Sequence, residues 1–331
     1  MTTTETTQES RDDITAFADF FEGDLAPLVR RMTDRPRVED GDDDDGRETR
    51  AMVWEGLVGL GALRTSGTVR LAELLGSVLY QGPLLDTLTA RELFGDDAVG
   101  QAPVALAIAD EPWSEKDGAI TARRNFVGFA AEVDHFVVGA TGDGGTDGGQ
   151  GPRLALVRAD HPSVTTRRHE ETSRGEAYRV EFEGTPATAW DGSRDRWETA
   201  LAGARVRQAA YLVGLAQAAL DHAVEHAKAR RQFGRPIGKF QALAFRLSEM
   251  SMRLDATRLL VHDRDAAAHA AANLAEASDL ARTVTTRTMQ IHGAAGMCSD
   301  NDAQLYYRWA AAESVRLGTP SRLRREGRET R

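Results

Sequence analysis

The strongest constraint on this 331-residue chain is a helical pattern that runs almost unbroken from Arg194 to Arg316. Val206, Ala210, Val213, Leu220, Val224 and Ala227 recur mostly three or four apart. Phe240, Leu243, Leu247, Met250, Leu254, Thr257 and Val261 then draw a second stripe. Such spacing places side chains one above another on a single helical face, and each face must bury itself against a neighbour. Further helices are predicted over about 272–292 and 302–316, with Gly- or Pro-containing turns between them, so the pattern describes a four-helix bundle.

Upstream the texture changes twice. Ile14, Phe17, Phe20 or Phe21, Leu25 and Leu28 predict one amphipathic helix ending near Arg35-Pro36, and helical patterns follow at about 49–63, 68–81 and 84–95. From Val104 the apolar runs are short and β-branched (VALAIA, NFVGFA, HFVVGA, RLALVRA, YRVEFEG), which is strand texture. Helices, then strands, then helices predict an α+β, mainly α chain with segregated units. The units are a tail at 1–11, an N-terminal helical domain at 12–100 with an acidic loop at 37–48, a central β-domain at 101–193 and the C-terminal four-helix bundle at 194–331.

Charge and cysteine content narrow the function. With 51 acidic and 41 basic residues the net charge is −10, which repels a polyanion and argues against nucleic acid as a partner. No apolar run approaches the roughly 20 residues of a membrane span, so a cytoplasmic protein without membrane contact is expected. The single cysteine, Cys298, can form no internal disulfide. Asp42 to Asp45 lack the alternating ligands of a calcium loop and read as a solvated loop. TGDGGTDGGQG precedes a strand, where a phosphate loop needs a helix, and reads as a hairpin.

Two further motifs invite a catalytic reading. His222, Glu225 and His226 spell H-x-x-E-H, an inverted zinc-protease spacing, but no third ligand stands out and a polar, solvated helix face is expected, with no metal. Cys298 and His292 lie six residues apart across a Gly-rich turn, which fixes no thiol–imidazole pair. The informative stretch is ARRQFGRPIGKFQ, Ala229–Gln241, between two long helices. Its arginines and Phe233 could present cationic forks and an aromatic face to a phosphate-bearing ligand, or could form an ordinary helix–helix corner.

These residues resemble the acyl-CoA dehydrogenase family. GLAQAALDHAVEHAKARRQFG, FQALAFRLSEM, QIHGAAGM and LGTPSRLR look like family segments in the family's order and cover most of 200–325. FVGFAAEVDHFVVGA and RLAELLGSVLYQGPLL resemble it more weakly. The resemblance implies FAD as cofactor, an acyl-CoA or other acyl thioester as substrate, and a homo-oligomer or a homologous partner subunit, because the family's FAD reaches across to a neighbour's bundle. It implies that Arg230 and Gln232 meet the pyrophosphate, Phe233 and Gln241 the ADP region, Gln290 and Gly293 the same region, and Thr319 the cofactor near the C-terminus.

Departures from the family pattern bear on chemistry. The glutamate that abstracts the substrate α-proton in many members falls on Leu317, and the other family position falls on Ala204, so neither seat can accept a proton. Glu313, one turn before Leu317, is a weak substitute beside the alternative of a solvated helix-end residue. A flavin-edge T-E-P segment becomes Asp110-Glu111-Pro112, and a segment is shortened between Leu63 and Val69. These departures suit a base-lacking subunit of a heteromeric enzyme of the kind known for steroid side-chain thioesters. They also suit a repurposed member running a non-redox or cyclisation step, or a non-catalytic structural subunit. The arginine-rich end, SRLRREGRETR, reads as a solvated tail.

Overall fold

The computed structural model describes residues 44–64, 67–108, 113–140, 153–169, 177–298 and 301–329. The expected tail and first helix, most of the acidic loop, the 141–151 glycine segment and Asp110 to Pro112 lie outside them. The chain begins with α1 (Asp44–Gly59), α2 (Thr68–Ser77), α3 (Leu84–Phe94) and a single turn, α4 (Asp96–Val99). The last residues of the expected acidic loop are helical, since α1 starts at Asp44.

Eight strands follow: β1 (Val104–Ile108), β2 (Trp113–Lys116), β3 (Ala119–Gly128), β4 (His135–Ala140), β5 (Arg153–Arg158), β6 (Val164–Arg168), β7 (Ala177–Pro186) and β8 (Ala189–Asp191). They form two four-stranded sheets, β1-β4-β5-β8 and β2-β3-β7-β6, with β1 parallel to β4 and the other pairs antiparallel. The first sheet is covered on both faces. Phe136, Val138, Ala155 and Val157 meet Phe182 and Val180 of the second sheet, whereas Val137, Leu154 and Leu156 meet Leu93, Trp197 and Ala200 of the helices. Alternation along β4 and β5 thus explains why they read as continuous apolar runs.

The bundle consists of α5 (Arg194–Ala229), α6 (Gln241–Val261), α7 (Ala270–His292), α8 (Asp302–Glu313) and α9 (Pro320–Glu329). Ser193 caps α5 by accepting from Arg196 N at 3.2 Å. The expected solvated tail is the helix α9: Leu323 is fully buried and Arg324 pairs with Asp279 of α7. Helix α5 is the axis of the molecule. It crosses α2 so closely that a Cβ on Gly214 would lie 1.9 Å from Glu73 O, and one on Gly76 would lie 1.9 Å from Tyr211 O. Arg207 fixes α5 to α3 by donating to both Glu92 carboxylate oxygens at 2.6 and 2.8 Å and to Thr89 Oγ1 at 3.0 Å. No described helix is long and apolar enough to cross a membrane.

Candidate functional site

A cleft of about 530 Å³ opens where the start of α5, the end of α8, β1 and β3 meet. That volume is in the range of a small-molecule site. Leu106, Ile108, Val127, Trp197, Leu201 and Leu317 give it an apolar side. Its charged lining, among the described residues, comprises Arg124, Arg194, Arg205, Arg316 and Arg322 against Asp86, Glu198 and Glu326. Phe126, with φ 57° and 76% exposed, stands at the cleft and stacks on His169 with ring centroids 4.7 Å apart.

Most of these charges are already engaged. Arg124 is buried and donates to the carbonyls of Ala107, Gly139 and Arg123 at 3.1, 3.0 and 2.8 Å. Arg316 donates to Asp86 at 2.6 Å, and although burial works against its charge, Asp86 and Glu313 hold the guanidinium protonated more firmly than usual. Arg205 reaches Glu326 at 2.6 Å, and Arg322 reaches the same carboxylate at 2.9 Å. Burial opposes the charge of Glu326, yet hydrogen bonds from Arg322 and Arg205 keep its pKa below the ordinary carboxylate value.

The two vacant base seats fall differently. Leu317, with φ 60°, lines the cleft, while Ala204 is buried behind Arg205 and does not. Glu313 is neither the expected solvated residue nor a group aimed into the cleft. It is 8% exposed, accepts from Gln208 Nε2 at 2.7 Å and lies 3.6 Å from Arg316 Nη1. The sequence offered no view of this, because its partners come from α5 and from the turn after α8. Asp86, Arg205 and Phe126 were missed for the same reason: only the fold brings α3, α5 and β3 to one cavity.

The second group of site residues lies at the far end of α5. Residues 230–240 fold into a small corner in which Arg231–Gln232 pairs antiparallel with Arg235–Pro236 before a 3₁₀ turn, Ile237–Lys239. Arg230, Gln232, Phe233 and Gln241 are all exposed there; Phe233 is 93% exposed with φ 50°. Helix α7 ends beside them, so Gln290 and Gly293, the latter with φ 64°, join the same end. Thr319 follows Gly318 at the cleft rim instead. The 25 residues from Arg205 to Arg230 span about 37 Å at helical rise. One chain therefore cannot bring Thr319 and Arg230 to the same small ligand.

The donor set at the corner fits a dinucleotide diphosphate. Arg230 makes no ion pair among the described residues, two primary amides stand beside it, and space is open above Gly293, where an added Cβ would meet no atom within 4 Å. Behind this surface lies a group the sequence did not foresee. His222 and His226, expected on a solvated face, stack against His292 of α7, with ring centroids 4.5 and 4.1 Å away. Stacked rings do not converge their nitrogens on one point, and among the described residues no set of three ligating side chains is arranged for a metal ion. Cys298 Sγ faces Ala294 O at 3.6 Å, and His292 Nδ1 donates to Thr288 O at 2.9 Å, so the two form no pair.

This architecture, two helical layers flanking a pair of sheets with α5 as axis, is the acyl-CoA dehydrogenase fold. The structure of butyryl-CoA dehydrogenase from Megasphaera elsdenii superposes with a TM-score of 0.78 at 23% identity, covering 97% of this chain and 98% of that one. The ChsE4-ChsE5 complex from Mycobacterium tuberculosis gives a TM-score of 0.77 at 21% identity, covering 97% and 96%. Residues 194–327 match the family described as acyl-CoA dehydrogenase, C-terminal domain. A curated relative, the probable acyl-CoA dehydrogenase YngJ of Bacillus subtilis (strain 168), is 37% identical over 127 residues, covering 36% of this chain and 33% of that one. The matched region spans about a third of the length of such relatives.

Proposed function

We propose that this chain is the base-lacking member of a heteromeric, FAD-dependent acyl-CoA dehydrogenase, lending its corner to a cofactor shared with a homologous partner. The observation that carries the reading is the separation of the two half-sites along α5, together with a cleft whose reaching base seat is Leu317. FAD, when bound, supplies a two-electron acceptor for the substrate's β-hydride. The residues of this chain hold and orient. The Arg230 guanidinium and the amides of Gln232 and Gln290 bind diphosphate oxygens, and Phe233 and Gln241 cover the ADP half. The α-proton must then leave to a carboxylate of the partner, because neither Leu317 nor Ala204 can accept it.

A partner surface is available on α6. Phe245, Met252 and Leu259, seven residues apart, are 65%, 67% and 75% exposed on the face opposite Met250 and Leu254. A seven-residue apolar repeat is the pattern with which one helix packs along another. The test is the flavin-to-protein ratio of the chain purified alone and co-expressed with its nearest encoded homologue. Flavin appearing only in the mixed complex is the expected result. Stoichiometric flavin in the chain alone would favour a self-contained, repurposed member with a non-redox or cyclising step, and no flavin in either sample would leave a structural subunit.

A further inference from the structure

The stack of His222, His226 and His292 has no part in the chemistry above, yet it occupies the floor between the two halves of the corner. His226 lies one turn before Arg230 on α5, and His292 stands between Gln290 and Gly293. Each ring has a defined or open nitrogen. His292 Nδ1 donates to Thr288 O at 2.9 Å, which leaves its Nε2 bare. His222 Nε2 is 3.3 Å from Asn301 Oδ1, an acceptor already held in place by Ala303 N at 2.9 Å, so the imidazole donates and its Nδ1 is bare. His226 has no hydrogen-bond partner among the described residues.

No carboxylate pairs with any of the three rings among the described residues. On α5 itself Glu225 is taken by Lys228 at 2.7 Å, and Arg230 is cationic. On α7, Arg287 turns away to Glu249 of α6 at 2.9 Å. From α8 the stack meets the Tyr306 ring at 6.0 Å, and Asp302, next to Asn301, makes no ion pair with it. Lys239, across the corner, is exposed. A positive charge on this stack would thus have cations as neighbours and lack a paired counter-ion among the described residues.

We propose that the stack is a proton-coupled part of the diphosphate site: docking of a nucleoside diphosphate at the corner places a proton on the His226–His292 pair, and the anion is its counter-ion. This rests on the reading of the corner given above. Burial, then the charges of His222 and Arg230, hold His226 below the ordinary imidazole pKa, and burial does the same to His292 against the opposing pull of Thr288 O. The free His226–His292 pair is therefore biased toward the neutral form, and an anion beside it favours the charged form. Binding then strengthens as pH falls, by up to about tenfold per pH unit across the window between free and bound pKa values.

The experiment is calorimetric titration of the flavin-free full chain with ADP at pH 6.5, in buffers of different ionisation enthalpy, with adenosine as the control without phosphate. The unmodified chain is expected to take up about 0.3 to 1 proton per ADP more than His226→Phe/His292→Phe, which keeps ring packing without titration and so shows only the ionisation of the ADP terminal phosphate itself; adenosine takes up none. Buffer dependence that is equal in the two proteins overturns the inference and leaves the corner reading intact. ADP that fails to bind anywhere between pH 6 and 8 overturns both. Should the double variant fail to fold, nitrogen-15 shifts of the histidine rings in the unmodified chain, with and without ADP, read the same protonation directly; rings that stay neutral on ADP binding overturn the inference.

Discussion

The crossing of α2 and α5 yields a prediction with a magnitude fixed by geometry. Adding one methyl group by Gly214→Ala puts a Cβ 1.9 Å from Glu73 O and 2.9 Å from Ser77 N, both backbone atoms that cannot swing aside. Ordinary contact begins near 3.4 Å, so the helices must separate by more than 1 Å at the crossing. A gap of 0.5–1 Å already forfeits roughly a quarter to a half of each contact's dispersion energy. Leu71, Leu75, Tyr211, Leu212 and Leu215, all buried near this crossing, would feel it together. Overpacking of this kind costs about 3 kcal/mol, and for a chain of this size that lowers Tm by roughly 4 °C. Gly76→Ala, 1.9 Å from Tyr211 O, pushes the same pair of helices apart, so the double variant should cost less than the sum of the two. Gly184→Ala is the control. Its φ of 63° carries a penalty of about 1 kcal/mol, but an added Cβ meets no atom within 4 Å. Thermal melts of the four variants decide the matter, and a Gly214→Ala protein within about 0.5 kcal/mol of the parent would refute the reasoning.

Two further outcomes follow from individual groups. Glu73 is buried between α2 and α6; burial alone would raise its pKa, but hydrogen bonds from His262 at 2.6 Å and Arg258 at 2.9 Å, with the charges of Arg258 and Arg70, bring it down to about 2. A depressed carboxyl stabilises the fold above its unfolded pKa and loses that contribution as pH falls from about 4.5 toward 2. Glu73→Gln should therefore be on the order of 2 kcal/mol less stable at pH 7, with the deficit vanishing near pH 2 in denaturant melts. At the cleft, Leu317→Glu restores a proton acceptor beside Arg316. The unmodified chain should not exchange the α-protons of an acyl-CoA with deuterated water, whereas the variant should, as read by mass spectrometry.

The elements that sequence reasoning captured are those whose own residues carry the pattern. The stripe ending in Met250, Leu254, Thr257 and Val261 is buried in α6 as its spacing requires, and the central residues of β4 and β5 are apolar because both their faces are covered. What escaped was written in other segments. Strand β6, VTTRR, lies at a sheet edge with four of its five residues exposed, and so lacks any alternation to detect. Helix α9 holds a single fully buried leucine, and its charges are answered by Arg205 and Asp279, far away in the chain. The types of the corner residues were legible in RRQFGRPIGKFQ, but the imidazole floor was not. His292 is 66 residues from His226, and only the antiparallel return through α6 and α7 makes them neighbours.

The 36-residue α5 also behaves as a ruler. It is clamped to α3 by Arg207 at the cleft end and to α7 by the imidazoles at the other, so the pitch between cleft and corner is set by its residue count alone. Insertion of one residue between the clamps would turn the corner by about 100° and advance it by about 1.5 Å, carrying Arg230 off the face it shares with Gln290. A change of length is thus barred within this helix. A partner that docks here has to match that fixed pitch.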